Sequence, residues 1–171
     1  AFRLLEKALD DQSVELHGFA AEYLVDEFFM AEVKAQTPLL TCFDRHILIE
    51  IPFFDQLKRL NEALFSLQNQ GYAPILAHPE RYAALQSIEE VEALKLKGAK
   101  MQLNALSLLG FYGPEAQKKG SLWLKKGLFD LIGTDAHSPY QLKKLQELQL
   151  NKKELFFWEE LCEKQMELIS L

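Results

Sequence analysis

The chain has few cysteines, no long hydrophobic run and no excess of positive charge. Its 171 residues include only two cysteines, Cys42 and Cys162, which lie far apart and form no Cys-x-x-Cys pair. Two free thiols in a reducing compartment are therefore expected, rather than a disulfide or a zinc-binding pair.

The remaining absences bear on location and partners. No apolar run approaches the roughly 18 residues that cross a bilayer, and no signal-peptide pattern opens the chain. The net charge is −6, whereas binding to a phosphate backbone requires a basic surface. We therefore expect a cytoplasmic protein with no membrane span and no nucleic-acid partner.

An alternation of apolar runs with helical patterns organises the chain. Short apolar runs lie at residues 14–21, 46–51, 73–77, 100–104 and 129–133, and helical patterns lie at 26–36, 54–70, 87–96, 114–126, 139–148 and 151–171. Alternating strands and helices predict a parallel α/β sheet with right-handed crossovers. A closed barrel of this type needs about eight such units. The sequence therefore predicts an incomplete, distorted (β/α) barrel with about five units.

The clustered aromatic residues are interpreted as core: Phe28, Phe29, Phe53, Phe54, Phe156, Phe157 and Trp158.

Polar or ionisable residues follow every predicted strand. In chain order they are Glu22, Glu50, His78 with Arg81, Asn104, and Asp135 with His137. The carboxyl ends of parallel strands meet at one edge of the sheet, where α/β barrels place their chemistry. Carboxylates and imidazoles suit zinc, manganese or iron, and an arginine fork suits a phosphate. The pattern therefore indicates a metal-dependent hydrolytic site.

Each of these residues also has a simpler interpretation. Glu22 and Glu50 are also compatible with solvated strand-end carboxylates, and for Glu50 we favour a supporting role. The Asp-x-His pair is common, His78 could mark a turn, and Arg81 could pair with Glu80 or a helix carboxylate. Asn104 could cap a helix, and His17 and His46 are interpreted as structural. The position that the candidates share at strand ends favours a site over independent coincidences.

Several sequence strings carry a resemblance to a known family. They are Ala21-Glu-Tyr23, Ile49-Glu50, Gly71-Tyr-Ala-Pro-Ile-Leu-Ala-His-Pro-Glu-Arg-Tyr82, Gln102-Leu-Asn-Ala-Leu-Ser-Leu-Leu-Gly-Phe-Tyr-Gly113 and Gly133-Thr-Asp-Ala-His137. From about residue 14 onward the chain resembles the bacterial tyrosine-protein phosphatases of the capsular and exopolysaccharide type, in the PHP (polymerase and histidinol phosphatase) superfamily. The resemblance implies a distorted β/α barrel with a divalent metal cluster, manganese first, with iron, zinc or magnesium as alternatives. The implied substrate is a phosphotyrosine protein, a tyrosine autokinase that controls polysaccharide export.

The resemblance also assigns roles to individual residues. It implies that Glu22, His78, Asp135 and His137 are metal ligands and that Arg81 contacts the phosphate. Asn104 is expected to support the ligands, as is Glu50. No cysteine nucleophile is implied, and neither cysteine has an arginine at the Cys-x5-Arg spacing.

One part of the family pattern has no counterpart here. The family begins with a His-x-His motif and further ligands before the glutamate, and these are absent. Residues 1–171 are therefore expected to be a single phosphatase domain that lacks its N-terminal part, with weak metal binding and little activity alone. Without the N-terminal part, the outer strands would expose backbone groups, and Leu131 and Ile132 would lose their cover. We expect a dimer, the missing fragment or the C-terminal helix to cover these edges.

Three functions remain open at this point. The first is a truncated metal-dependent tyrosine phosphatase, which we favour. The second is another PHP phosphoesterase, of the histidinol-phosphate type. The third is a non-catalytic barrel remnant that acts as an interaction module.

Overall fold

A five-stranded parallel sheet is the centre of the fold. The structure is a computed structural model that describes residues 20–52 and 57–170. The strands are β1 (Glu22–Leu24), β2 (His46–Glu50), β3 (Ala73–Ala77), β4 (Lys100–Asn104) and β5 (Leu131–Gly133). They lie side by side in chain order, and every neighbouring pair is parallel. The predicted parallel α/β class is confirmed, and within the described ranges the sheet stays open rather than closing into a barrel.

Helices connect the strands and cover the sheet. They are α1 (Glu27–Lys34), α2 (Leu57–Asn69), α3 (Ile88–Leu96), α4 (Ala105–Leu108), α5 (Pro114–Lys125), α6 (Pro139–Leu145) and α7 (Lys152–Ile169), with a 3-10 turn at Pro79–Arg81. A capping box begins α3, since Ser87 Oγ accepts from the Glu90 N–H and the Glu90 carboxylate accepts from the Ser87 N–H. None of the described helices is long and apolar enough to cross a membrane.

The two faces of the sheet differ in burial. Successive side chains on a strand point to opposite faces. On β2, Ile47 and Ile49 are completely buried, together with Leu60, Leu64 and Leu67 of α2, which belong to the same apolar core. The opposite face carries Glu22 and Glu50, because Glu22 pairs with Leu48 and Leu24 pairs with Glu50 in the β1–β2 register. The helices therefore bury one face, and the carboxylates project from the other.

Helix α7 covers the outer edge of β5. The Ile132 N–H donates to Gln165 Oε1 at 2.6 Å, and Lys164 Nζ donates to the Phe129 carbonyl at 3.1 Å. These side chains occupy backbone groups that an edge strand otherwise presents to another chain. Of the outcomes expected for an uncovered edge, the covering C-terminal helix is the one found at β5.

Several predictions need correction. The first strand among the described residues is Glu22–Leu24, and most of the predicted run at 14–21, namely 14–19 with His17, lies outside the described residues. The patterns revealed neither α4 nor the 3-10 turn, because each is too short for a hydrophobic period. Leu131 is buried rather than uncovered, whereas Phe28 is 83% exposed and Phe156 is 54% exposed, so neither belongs to the core. Phe53 and Phe54 lie outside the described residues.

Candidate active site

Two carboxylates and an imidazole meet where β1, β2 and β3 lie side by side. Nε2 of His78 lies 3.6 Å from Glu22 Oε1 and 3.4 Å from Glu50 Oε2. One potential ligand atom from each of the three residues lies within 4.8 Å of the others. His78 is almost completely buried, while 28% of the Glu22 side chain and 30% of the Glu50 side chain remain exposed. The group therefore opens to solvent on the carboxylate side.

The two carboxylates have different electrostatic surroundings. Burial raises the pKa of Glu22, and the negative charges of Glu50 and Asp135 add to this effect. A hydrogen bond from His78 lowers the pKa of Glu50, and the positive charges of Arg81 and His137 lower it further. The charges that act on these two carboxylates come from side chains at the ends of β2, β3 and β5, so these strand ends share one electrostatic environment with Glu22 of β1.

His78 and Arg81 lie at the two ends of one tight turn. His78 has a left-handed backbone, with φ +34°, and directly precedes the 3-10 turn that ends at Arg81. This conformation is uncommon for a residue other than glycine and occurs often at functional sites. The turn directs both side chains to the same edge of the sheet.

Asp135 is held from several sides. Arg81 Nη1 donates to Asp135 Oδ2 at 2.8 Å, and Asn104 Nδ2 donates to the same oxygen at 3.0 Å. Asp135 also has a left-handed backbone, with φ +46°. Nδ1 of His137 lies 3.0 Å from the Asp135 carbonyl oxygen, and the His137 side chain is 77% exposed. With Nδ1 engaged, Nε2 of His137 is the nitrogen left for a ligand.

Glu80 joins the 3-10 turn to the end of β4. Its side chain is completely buried, and Oε1 accepts hydrogen bonds from the Asn104 N–H at 3.2 Å and the Ser107 hydroxyl at 2.6 Å. Burial raises the pKa of Glu80 despite these bonds. Asn104 also caps α4, since its Oδ1 accepts from the Leu106 N–H. The sequence suggests Glu80 only as a partner for Arg81, whereas these hydrogen bonds tie Glu80 to the end of β4 and to α4.

Tyr82 and Tyr112 contact residues of the site and support it. The Tyr82 hydroxyl accepts from the Ile51 N–H at 3.1 Å, which ties the end of β2, with Glu50, to the residue after the turn. The Tyr112 ring lies 4.0 Å from the Arg81 guanidinium carbon, a distance typical of cation–π stacking. Both tyrosines lie within the strings that carry the family resemblance, but no spacing rule gave either of them a role.

The structure brings the predicted residues together unequally. Glu22, Glu50 and His78 form one group, and Arg81, Asn104 and Asp135 form a second, hydrogen-bonded group beside it. His137 lies at the exposed rim. Glu50 lies as close to His78 as Glu22 does, although a supporting role was expected for it. Two carboxylates and one imidazole are a donor set that fits manganese, iron or zinc.

Comparisons with known proteins found a matching family model and several curated relatives. Residues 3–152 match the family model for capsular polysaccharide synthesis, CpsB/CapC. CapC of Staphylococcus aureus is 38% identical over 106 residues, which cover 59% of this chain and 42% of CapC. Tyrosine-protein phosphatase YwqE of Bacillus subtilis is 31% identical over 137 residues, covering 78% of this chain and 54% of YwqE. Tyrosine-protein phosphatase CpsB of Streptococcus pneumoniae is 28% identical over 142 residues, covering 80% of this chain and 58% of CpsB.

A solved structure shares the fold. A chain from the crystal structures of YwqE and CpsB, described as metal-dependent tyrosine phosphatases, superposes with a TM-score of 0.68 at 23% identity, covering 96% of this chain and 70% of that chain. The chain spans about half the length of the curated relatives it matches. Since the family model covers most of its length, the chain belongs to the CpsB/CapC family of capsular polysaccharide synthesis.

Proposed function

We propose that this chain carries the site of a metal-dependent phosphomonoester hydrolase that acts on phosphotyrosine proteins. The observation that carries the proposal is the Glu22, Glu50 and His78 group, whose ligand atoms lie within 4.8 Å of one another, next to Arg81. Carboxylates and an imidazole bind a divalent cation, and a neighbouring guanidinium binds a phosphate. Proteins similar to this chain are named tyrosine-protein phosphatases.

The proposed ligands come from four strand ends. Glu22, His78, Asp135 and His137 were expected from the sequence, and we add Glu50 because of its 3.4 Å distance to His78. Asn104 then has a supporting role, since its amide orients the Asp135 carboxylate. Manganese is the proposed metal, with iron, zinc or magnesium as the alternatives that the same donors accept.

The chain's own residues would bind and orient the phosphate. A bound divalent cation supplies positive charge that polarises a phosphoryl oxygen and acidifies water. Arg81 offers a planar donor fork for the phosphate oxygens, and the Tyr112 ring stacked against it holds the plane of that fork. Asp135, which is itself held by Asn104, keeps Arg81 at the site before substrate arrives. The preset charge is what stabilises a developing negative charge on the phosphate.

The substrate and partner follow from the family. We infer a phosphotyrosine protein of capsule synthesis as the substrate, and a tyrosine autokinase as the specific partner. We also propose that the chain forms a homodimer or a complex with the N-terminal fragment that the family pattern implies. Residues 1–171 are proposed to belong to one PHP-like domain.

The sheet is proposed to be part of a distorted β/α barrel. In its support, all five strands are parallel and follow one another in chain order. The face that carries Glu22 and Glu50 is the one that would line the interior of such a barrel.

Metal binding and turnover test the proposal together. We expect an Mn²⁺ titration, monitored by electron paramagnetic resonance, to show that the chain binds Mn²⁺. In Glu50→Gln the affinity should fall by about tenfold or more, because a charged donor is lost. Phosphotyrosine peptide should be hydrolysed with Mn²⁺ and not with a chelator, slowly because little activity is expected of residues 1–171 alone, and still faster than histidinol phosphate. Glu62→Gln is the matched control, because Glu62 pairs with Lys34 on the exposed face of α2.

Three results would contradict the proposal in different ways. Equal Mn²⁺ affinity in Glu50→Gln and Glu62→Gln would remove the ligand assignment. Preferred turnover of histidinol phosphate would indicate the small-molecule phosphoesterase. Absence of both binding and turnover would indicate the non-catalytic interaction module.

A further inference from the structure

A row of three aromatic rings extends from the proposed phosphate arginine to the surface. Tyr112 lies against Arg81, with 4.0 Å between ring centroid and guanidinium carbon. The Phe111 and Tyr112 centroids are 5.1 Å apart at an interplanar angle of 78°, and the Phe111 and Tyr140 centroids are 6.3 Å apart. These spacings are typical of interacting aromatic pairs. The row therefore forms one continuous surface, which we name the aromatic row.

Two segments of the fold build the aromatic row beside the site. Phe111 and Tyr112 lie between α4 and α5, just after the Asn104 that holds Asp135. Tyr140 lies in the first turn of α6, three residues after His137. Hydrogen bonds also join these segments, because the Tyr112 hydroxyl lies 3.4 Å from Asn104 Nδ2 and 3.5 Å from Gln141 Nε2. The site and the aromatic row are therefore positioned by the same contacts.

The outer members of the aromatic row are exposed. Phe111 is 37% exposed and Tyr140 is 60% exposed, whereas Tyr112 is half-buried beneath Arg81. A single exposed apolar side chain is ordinary, but neighbouring exposed rings at the border of a charged site form a surface that can take up an aromatic ligand. In an aryl phosphate, one bridging oxygen joins the phosphorus to the ring. A phosphate held at Arg81 therefore brings its aryl ring within reach of the aromatic row.

We propose that Phe111 and Tyr140 bind the aromatic ring of the substrate while Arg81 binds its phosphate, and so select aryl over alkyl phosphomonoesters. This proposal rests on the proposed phosphate site. It adds residues that contact the organic group to which the phosphate is esterified. Alkyl phosphates such as phosphoserine lack a ring to stack and would gain only the contacts at the phosphate. The aromatic row would thus supply the preference for aryl phosphomonoesters.

Two inert phosphonates separate ring recognition from phosphate recognition. Phenylphosphonate and methylphosphonate share the phosphate-like group, and neither has an ester bond to hydrolyse. We expect calorimetric titration in Mn²⁺-containing buffer to show tighter binding of phenylphosphonate by about two- to tenfold, the worth of one aromatic pair. In Tyr140→Ala and in Phe111→Ala this ratio should fall towards one, with methylphosphonate affinity unchanged. Tyr140→Phe should keep the ratio, because it keeps the ring.

A matched control and the contrary outcomes complete the experiment. Phe65→Ala removes a ring that is 68% exposed on α2, and it should leave the ratio at the wild-type value. An unchanged ratio in both Tyr140→Ala and Phe111→Ala would overturn the selection by the aromatic row and leave the phosphate site intact. Equal loss of both phosphonates would give these residues a structural role instead. No binding of either phosphonate by the wild-type chain would overturn the phosphate site and the aromatic row together.

Discussion

At the scale of single residues, the candidate site depends on buried groups that hold its strand ends in place. The Tyr82 hydroxyl is such a group, because it accepts the Ile51 N–H directly after Glu50. The Tyr82 side chain is completely buried. Burial raises the pKa of this hydroxyl, so it stays neutral and able to accept the bond.

Tyr82→Phe is therefore expected to destabilise the chain. The substitution leaves the buried Ile51 N–H without its acceptor, and an unsatisfied buried donor costs about 1–3 kcal/mol. Urea unfolding followed by circular dichroism should show the loss as a lower midpoint with an unchanged slope. Tyr140→Phe is the matched control, because its hydroxyl lies on a side chain that is 60% exposed. Equal midpoints for the two variants would mean that the Tyr82 hydroxyl contributes nothing.

The site illustrates what single residues reveal in the sequence and what they conceal. The placement of His78, Arg81 and Asp135 was readable because each follows an apolar run, and their meeting at one edge follows from parallel strands. Glu80 was not readable, since nothing in a His-Pro-Glu-Arg string tells whether the carboxylate turns inwards. Its burial depends on the Asn104 N–H and the Ser107 hydroxyl, which are 24 and 27 residues away.

At the scale of secondary-structure elements, an ion cluster around the buried Asp130 joins the start of β5 to two helices. Asp130, at the start of β5, accepts from Lys95 of α3 and Lys164 of α7, and also from the Met101 N–H. Burial alone would raise the pKa of Asp130, but these three donors outweigh it and lower the pKa. The cluster lies at the strand ends opposite the candidate site.

The lowered pKa of Asp130 predicts a pH-dependent stability. Because the pKa in the folded chain lies below the unfolded value of about 3.9, the contribution is full above that value and is lost as the pH falls through the folded pKa. At neutral pH, Asp130→Asn should cost about 1.5–3 kcal/mol, the worth of hydrogen bonds to a charged group. Unfolding midpoints from pH 7 to 3 should show wild type and variant converging towards the acid end.

Asp44→Asn provides the control for this titration. Asp44 lies 3.9 Å from Arg45, and both side chains are about two-thirds exposed, at 67% and 68%. Its replacement should leave the pH profile of the wild type unchanged. A constant difference between Asp130→Asn and wild type over the whole pH range would contradict the lowered pKa.

The elements themselves were predicted to different degrees. Most helix starts were readable from capping residues such as Ser87 and Asn151, because these signals are local. Strand β1 was not separable from the apolar run before it, since a three-residue strand has no period of its own and is defined by its pairing with β2. Helix α4 is only four residues long and follows β4 without a loop, so no hydrophobic pattern could separate the two.

At the scale of the whole molecule, α7 determines how the sheet ends. Gln165 and Lys164 occupy backbone groups at the edge of β5, and Leu161 is buried against the core. A parallel sheet that ended in bare backbone there could pair with another chain. The covering helix is a form of protection that needs no further subunit at this edge.

A chain that ends at residue 150 is expected to self-associate. Loss of α7 would free the Ile132 N–H and uncover apolar side chains next to it, and light scattering should report a mass that rises with concentration. The control is Gln146→Ala in the 171-residue chain, because Gln146 is an exposed glutamine that follows α6. A shortened chain whose mass equals that of one polypeptide at all concentrations would contradict the protective role of α7.

The left-handed backbones of His78 and Asp135 also limit how the site can diversify. At φ values of +34° and +46°, a β-branched side chain such as that of valine or isoleucine collides with its own backbone. Asparagine, aspartate, histidine and glycine are tolerated at such φ values. A saturation library at these two positions would therefore lose its branched members through misfolding, before any catalytic selection acts. Backbone geometry therefore limits which residues variants of this site can carry at these two positions, before any selection for activity.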